Sequence, residues 1–331
     1  MATKKHLAYL FPCALLEDFT FAELATTILT EEKNKWSTTD NGALTITLND
    51  VYGIDNRKSL KLDINTSGNE EAVRGIDGTD YDHTSICNAF GSAVDSLTPF
   101  NTMGMWVYST DFDQADEADM IKIGYYYATA SEASSSWNSS AGTTDEWLWF
   151  DDAVTLSGGN IERCFIRANK ANGGDVYCNT LVAFKRSTSN RDVATDSADN
   201  GTNSATGLFD WENGLSFIST GLTDNFAYYT LSGILDPEYY RESVAQLKAM
   251  VTVGLKSHPL MKQPYPKYST LRDPNGIKTY LFQIYSKGTE ESSKVITKSV
   301  PVILSNLNLN HASGKPHVIK FSVRLNKFVG V

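Results

Sequence analysis

The nine residues from Asp111 to Asp119 hold five acids, Asp111, Asp113, Asp116, Glu117 and Asp119, between two aromatic-rich runs, "MGMWVYS" and "MIKIGYYY". Carboxylates at that density suit a hard cation, and calcium accepts such oxygens in flexible arrangements. The EF-hand pattern fails after Asp113: Ala115 stands at the third ligand position, Asp116 replaces the glycine and Lys122 takes the place of the bidentate Glu. A looser structural calcium site built from Asp111, Asp113 and Asp116 fits the composition, and so does a solvated turn between two strands, the default fate of polar turn residues. "GIDGTDYDH" and "DSADNG" offer rival oxygen clusters of the same kind.

A second chemistry is stacking. In "EWLWF", alternation puts Trp147 and Trp149 on one face of a strand and Leu148 and Phe150 on the other. An exposed tryptophan face stacks on the apolar face of a sugar ring, whereas a buried one packs the core. Trp137, inside the polar stretch "SEASSSWNSSAGTTDE", is a further candidate for ligand contact, because long polar loops are commonly functional.

Hydrolytic chemistry has no local signature. His6, His83, His258, His311 and His317 are scattered, and the chain has no GxSxG, no phosphate-cradling glycine loop and no HExxH. A glycosidase needs two carboxylates across a cleft, and 39 acids supply accidental pairs everywhere, so a glycoside-active enzyme is the poorer alternative. The expectation is a non-enzyme. No cofactor is implied beyond the structural calcium. The cysteines, Cys13, Cys87, Cys164 and Cys178, have no zinc spacing. "RCFIRANKANGGDVYC" looks like a hairpin that sets Cys164 opposite Cys178, and two free buried thiols are expected there rather than a disulfide.

These groups must be positioned by strands. From Ala43 to about Thr230 the chain alternates apolar and polar residues over short runs, among them "SLKLDIN", "MGMWVYS", "MIKIGYYYA", "ERCFIRA" and "DVYCNTLVAFKR". That predicts a mainly β fold: an antiparallel jelly-roll β-sandwich over 1–235, one linking helix over 236–254 and a small C-terminal β-sheet unit over 255–331. Asp236 as cap and Pro237 at the first turn mark the helix. The last unit has three strands, "KTYLFQIYS", "KSVPVILSNLNLN" and "HVIKFSVRLNKF", with a phase shift at Ser305 and Asn306 that predicts a bulge. Three strands leave two open edges, which argues for assembly through this unit.

Charge divides the chain. Residues 241–331 carry 14 Lys and Arg against 4 acids, a net of +10, and residues 1–240 carry a net of −20. The basic unit could dock on acidic surface of another copy, with Lys320, Arg324 and Lys327 as assembly residues. Nucleic acid is disfavoured as a partner, because no dense basic cluster with interleaved aromatics occurs. Pro12 breaks the apolar run from Leu7 to Leu16, which is also too short to span a membrane, so neither signal peptide nor membrane partner is expected.

Two resemblances follow. "LLEDFTFAEL", "SLKLDIN" and "FNTMGMWVYS" followed by "IKIGYYY" resemble jelly-roll carbohydrate-binding modules over the first third of the chain. Such modules often hold calcium near the starting acids, where Glu17 and Asp18 match; their Asp-Asn close is not evident here. "VPVILSNLNLNHASGKPHVIKFSVRLNKF" is similar to the closing hairpin of tail-tube and baseplate proteins of tailed bacteriophages. Together they imply a virion protein, made in the host cytoplasm, of a phage tail or capsid surface. Its partners would be copies of itself and other virion proteins. The alternative is a carbohydrate-binding protein recognising a host or environmental glycan.

Overall fold

The computed structural model describes residues 5–17, 19, 22–25, 35–38, 44–51, 58–65, 71–75, 101–109, 120–127, 132–135, 146–154, 161–169, 174–184, 205–209, 215–224, 228–235, 244, 247–248, 251, 279–287, 294–312 and 314–327. Eighteen strands lie within them: β1 (Lys5–Glu17), β2 (Glu23–Leu24), β3 (Lys35–Thr38), β4 (Leu44–Asn49), β5 (Ser59–Ile64), β6 (Glu71–Gly75), β7 (Thr102–Ser109), β8 (Met120–Tyr127), β9 (Glu132–Ser134), β10 (Leu148–Ala153), β11 (Ile161–Asn169), β12 (Gly174–Phe184), β13 (Ala205–Phe209), β14 (Leu215–Asp224), β15 (Tyr228–Leu235), β16 (Thr279–Lys287), β17 (Lys294–Ala312) and β18 (Lys315–Lys327). The expected mainly β, antiparallel sandwich architecture is what the chain adopts.

Contacts group the chain into two units, one built from Ala14–Phe184 with Tyr265–Pro274 and Val329–Val331, the other from Met1–Cys13, Lys185–Pro264 and Asn275–Phe328. The first is a sandwich. One of its sheets pairs β10, β7, β12, β5 and β4 in that order, all antiparallel. The other runs β2-β3-β6-β11-β8-β9. Period-two alternation gives each sheet one apolar face. Met103, Met105, Val107, Leu60, Leu62, Ile64, Val176 and Cys178 from the first sheet share one core cluster with Ile121, Ile123, Tyr125, Cys164, Ile166 and Trp36 from the second. Each large aliphatic or aromatic side chain so buried contributes about 1.5–3 kcal/mol.

Two expected neighbours turn out to lie in opposite sheets. β7 and β8, the runs flanking the acidic stretch, do not pair with one another, and neither do β11 and β12. Alternation shows that a strand has one apolar face, and both sheets of a sandwich satisfy it, so sequence adjacency misassigns the partner. Cys164 and Cys178 are accordingly not opposite each other across a hairpin; both are free buried thiols, as is Cys13.

The second unit closes on itself. β15 pairs β18, β18 pairs β17, β17 pairs β16, and β16 pairs the Lys5–Cys13 stretch of β1. β1 pairs β13 in parallel, β13 pairs β14 and β14 returns to β15. This seven-strand circuit corrects the open-edge expectation: the three C-terminal strands have their outer edges taken by β15 and β1. It is also why the units do not follow a line at residue 235. Inside the circuit, Leu10, Tyr229, Leu231, Phe282, Val302, Leu304, Phe321, Val323 and Leu325 form a separate core. The bulge anticipated at Ser305 and Asn306 is present, with a register shift between Ser305 and Asn308 and Asn306 at φ 50. Of the stretch expected as the linking helix, Val244, Leu247, Lys248 and Val251 are described and are helical. Leu247 and Val251 are buried in this core.

Candidate binding face

The sandwich sheet formed by β10, β7, β12, β5 and β4 turns its apolar side to the core, and register fixes what stands on the other side. Trp149 is opposite Trp106. Tyr108 is opposite Tyr177, and Trp106 is opposite Asn179. Tyr177 is opposite Lys61 and Asp175 opposite Asp63, while Thr47 and Thr45 continue the same rows on β4. Directly opposed residues share a face, so five aromatic rings and a charged group are gathered on one outer surface.

The rings touch. Tyr108 lies 5.5 Å from Trp147 and 5.8 Å from Tyr177, and Trp106 meets Trp149 edge-on at 5.4 Å. Trp147, Trp149 and Tyr108 are half-buried, while Trp106 and Tyr177 are buried. Trp149 lies low over β7: its indole Nε1 donates to Asp151 Oδ2 at 2.7 Å, and a Cβ on Gly104 would come within 2.6 Å of the indole ring. Only a residue without a side chain leaves that space.

A bulge sets the floor. The register of β12 against β7 shifts between Asn179 and Val182, and Thr180 takes φ 55 there. Thr180 Oγ1 donates to Asn179 Oδ1 at 2.6 Å, and Asn179 Nδ2 donates to the Lys58 carbonyl at 2.6 Å. Bulges of this kind re-aim side chains beside functional sites. On the polar half of the face, Lys61 Nζ lies 2.8 Å from Asp175 and 3.6 Å from Asp63, and the Tyr177 hydroxyl donates to Asp175 at 3.4 Å. The hydrogen bond to Asp175 holds the Lys61 ammonium above its ordinary pKa.

The outer face of the second sheet carries a different group. Arg167 donates to Glu71 at 3.1 Å, to the Tyr126 hydroxyl at 2.8 Å and to Glu132 at 3.3 Å, and its guanidinium stands 4.8 Å over Phe165. Tyr126 donates in turn to Glu71 at 2.9 Å, and Lys122 pairs with Glu132 at 2.6 Å. Burial, reinforced by the Glu71 hydrogen bond, pushes the Tyr126 phenol up to about 12. Burial alone would raise the Glu132 carboxyl, but hydrogen bonds from Lys122 and Ser134 outweigh it and hold the group below its ordinary value. The Arg167 guanidinium also loses hydration on burial, yet the charges of Glu71 and Glu132 raise its pKa. This network ties four strands through Arg167 Nη2.

Of the residues singled out from sequence, Trp147 and Trp149 are brought together on the first face with the orientation expected. Trp137, Asp111, Asp113, Asp116 and Asp18 lie outside the described residues. Glu17 is buried and accepts from the Phe19 backbone N–H at 3.0 Å and from Trp36 Nε1 at 3.2 Å. Among the described residues no group of three or more His, Cys, Asp or Glu is arranged to hold a metal ion. Lys320, Arg324 and Lys327 divide: Lys320 and Arg324 alternate with the core-facing residues of β18, whereas Lys327 is opposite core-facing Val302. Arg324 stacks 4.1 Å over Tyr228, and Lys327 lies 4.7 Å from the Tyr229 ring. Sequence reasoning did not assign Tyr108, Trp106, Tyr177, Lys61 or Asp175 to the site. The signal available was phase, since the aromatic positions of "WVY" and "EWLWF" both oppose apolar core positions.

No family model matches the chain, and no curated protein matches it. Among solved structures, it is similar to the xylan-binding CBM22-1 domain of Paenibacillus barcinonensis Xyn10C, at 11% identity over 56% of this chain and 100% of that one, with a TM-score of 0.33. A family 11 carbohydrate-binding module of the Clostridium thermocellum cellulase Lic26A-Cel5E gives 8% identity over 58% and 99%, with a TM-score of 0.31. The arabinose-bound MgGH51 arabinofuranosidase gives 11% over 53% of this chain and 26% of the enzyme, with a TM-score of 0.36. Likeness at this level carries no argument about what this chain binds, and that question rests on the aromatic face.

Proposed function

We propose that this chain is a non-catalytic carbohydrate-binding protein whose ligand lies across β10, β7 and β12. The observation that carries this reading is the contiguous set of Trp147, Trp149 and Tyr108 on the outer face of a sheet whose inner face already supplies the core. A sandwich gains no core packing from rings placed there, and aromatic surface rimmed by polar groups marks a binding site. Sugars match it well, because their C–H faces stack on rings while their hydroxyls reach carboxylates and amines such as Asp175 and Lys61. The virion reading rested on the resemblance of the C-terminal hairpin to phage tail proteins and has no support beyond it; the assembly expected from open C-terminal edges loses its premise, because those edges are paired. Among the described residues of this face the glycosidase reading finds no carboxylate pair set apart for it: Asp151 accepts from Trp149 and Asp175 pairs with Lys61.

Affinity electrophoresis of the full chain in gels cast with different polysaccharides tests the proposal. At least one polysaccharide retards the wild type, and Trp147→Ala or Tyr108→Ala weakens that retardation about tenfold or more, since a lost stacking contact costs on the order of 1–2 kcal/mol. Wild-type affinity in both variants, with the fold intact by circular dichroism, overturns it.

A further inference from the structure

The polar half of the same face bears on which sugars are admitted. Among the described residues, three carboxylates, Asp63, Asp151 and Asp175, and one ammonium, Lys61, stand beside the rings. The Lys61 charge is already met by Asp175 at 2.8 Å and Asp63 at 3.6 Å, and Asp151 is turned to the Trp149 indole. The face therefore keeps an excess of negative charge within a stretch of chain, residues 1–240, that carries a net of −20. Asp63 is the most open of the Lys61 group, with 44% of its side chain exposed against 31% for Asp175 and 21% for Lys61. Asp175 and Asp63 form the row next to Tyr108, Tyr177 and Lys61, so a ligand carboxylate brought to the ammonium is brought close to both of them as well.

Resting on the carbohydrate-binding reading above, we infer that this face admits uncharged polysaccharide chains and turns away uronic-acid polymers, with Asp63 and Asp175 as the specificity-determining residues. Discrimination of this kind comes from a repulsive element rather than from better contacts to the preferred ligand. It weakens as salt screens the exposed carboxylates.

The experiment compares retardation of the full chain by neutral glucans, xylans and mannans with retardation by polygalacturonate and alginate, at low and high ionic strength. Wild type binds a neutral polymer at least about tenfold more tightly than either acidic one at low salt, and the gap narrows at high salt. Asp63→Asn raises affinity for the acidic polymers relative to the neutral one, and Asp175→Asn does so further by leaving Lys61 with less competition. Should Asp175→Asn fold poorly, as judged by its melting curve, Asp63→Asn decides alone. Equal binding of acidic and neutral polymers by wild type, or an unchanged ratio in Asp63→Asn, overturns the charge selection while leaving the aromatic site standing. Absence of binding to every polymer overturns both.

Discussion

Single residues decide the shape of the aromatic face. Gly104 is the clearest, because Trp149 and Asp151 occupy the volume a side chain would need. Gly104→Ala is expected to lift Trp149, to cost about 1–3 kcal/mol by overpacking and to shift tryptophan emission to the red, measured by denaturant titration and fluorescence. Burial pushes the Cys13 and Cys178 thiols well up from their ordinary pKa. Cys13, Cys164 and Cys178 should therefore react with a disulfide reagent only when the protein unfolds, and a rapid three-thiol phase at neutral pH would contradict their burial. Sequence revealed Trp147 and Trp149 because intrastrand phase is a local property. Tyr177, Lys61 and Asp175 stayed hidden because their membership depends on how β12 and β5 align with β7, which no local pattern encodes.

At the scale of elements, strands were legible and their partners were not. "MGMWVYS" and "MIKIGYYY" were recognisable as strands with one apolar face each, yet they belong to opposite sheets. The C-terminal strands behaved better, since Ile319, Phe321, Val323 and Leu325 alternate with polar residues and the bulge announces itself as a break in phase. The Arg167 network shows what alternation cannot encode: it joins β6, β8, β9 and β11 through groups far apart in the chain. Glu132 has a lowered carboxyl pKa in the fold, so its stabilisation is present above the ordinary 4.5 and is lost as pH falls through the folded value. Glu132→Gln should flatten the acid limb of the stability curve below that pH. Arg167→Met leaves Glu71 largely buried without its cation and should cost about 3 kcal/mol in chemical denaturation. Tyr126 provides an alkaline marker, its ionisation delayed to about 12, and Tyr126→Phe removes that late component from the ultraviolet titration.

At the scale of the whole molecule, the two cores are separate clusters, and the second is sealed by the first strand of the chain. Phe282→Ala, in the barrel core, is expected to lower stability by about 3–5 kcal/mol, read as a shifted melting transition. The closure has a temporal side. Lys5 is opposite Lys287 in register, so β1 cannot complete its pairing with β16 until the chain has been made past Lys287. The sandwich strands from β2 to β12 are finished at Phe184, which at about 5–20 residues per second leaves roughly 5–20 s in which the Lys5–Cys13 stretch of β1 waits for β16. A waiting strand rich in Leu, Tyr and Phe invites pairing with other nascent chains, and Pro12 sits within it, depriving that edge of one amide donor. On this view Pro12 guards synthesis rather than the finished fold, and Pro12→Val should lower the soluble fraction of newly made protein.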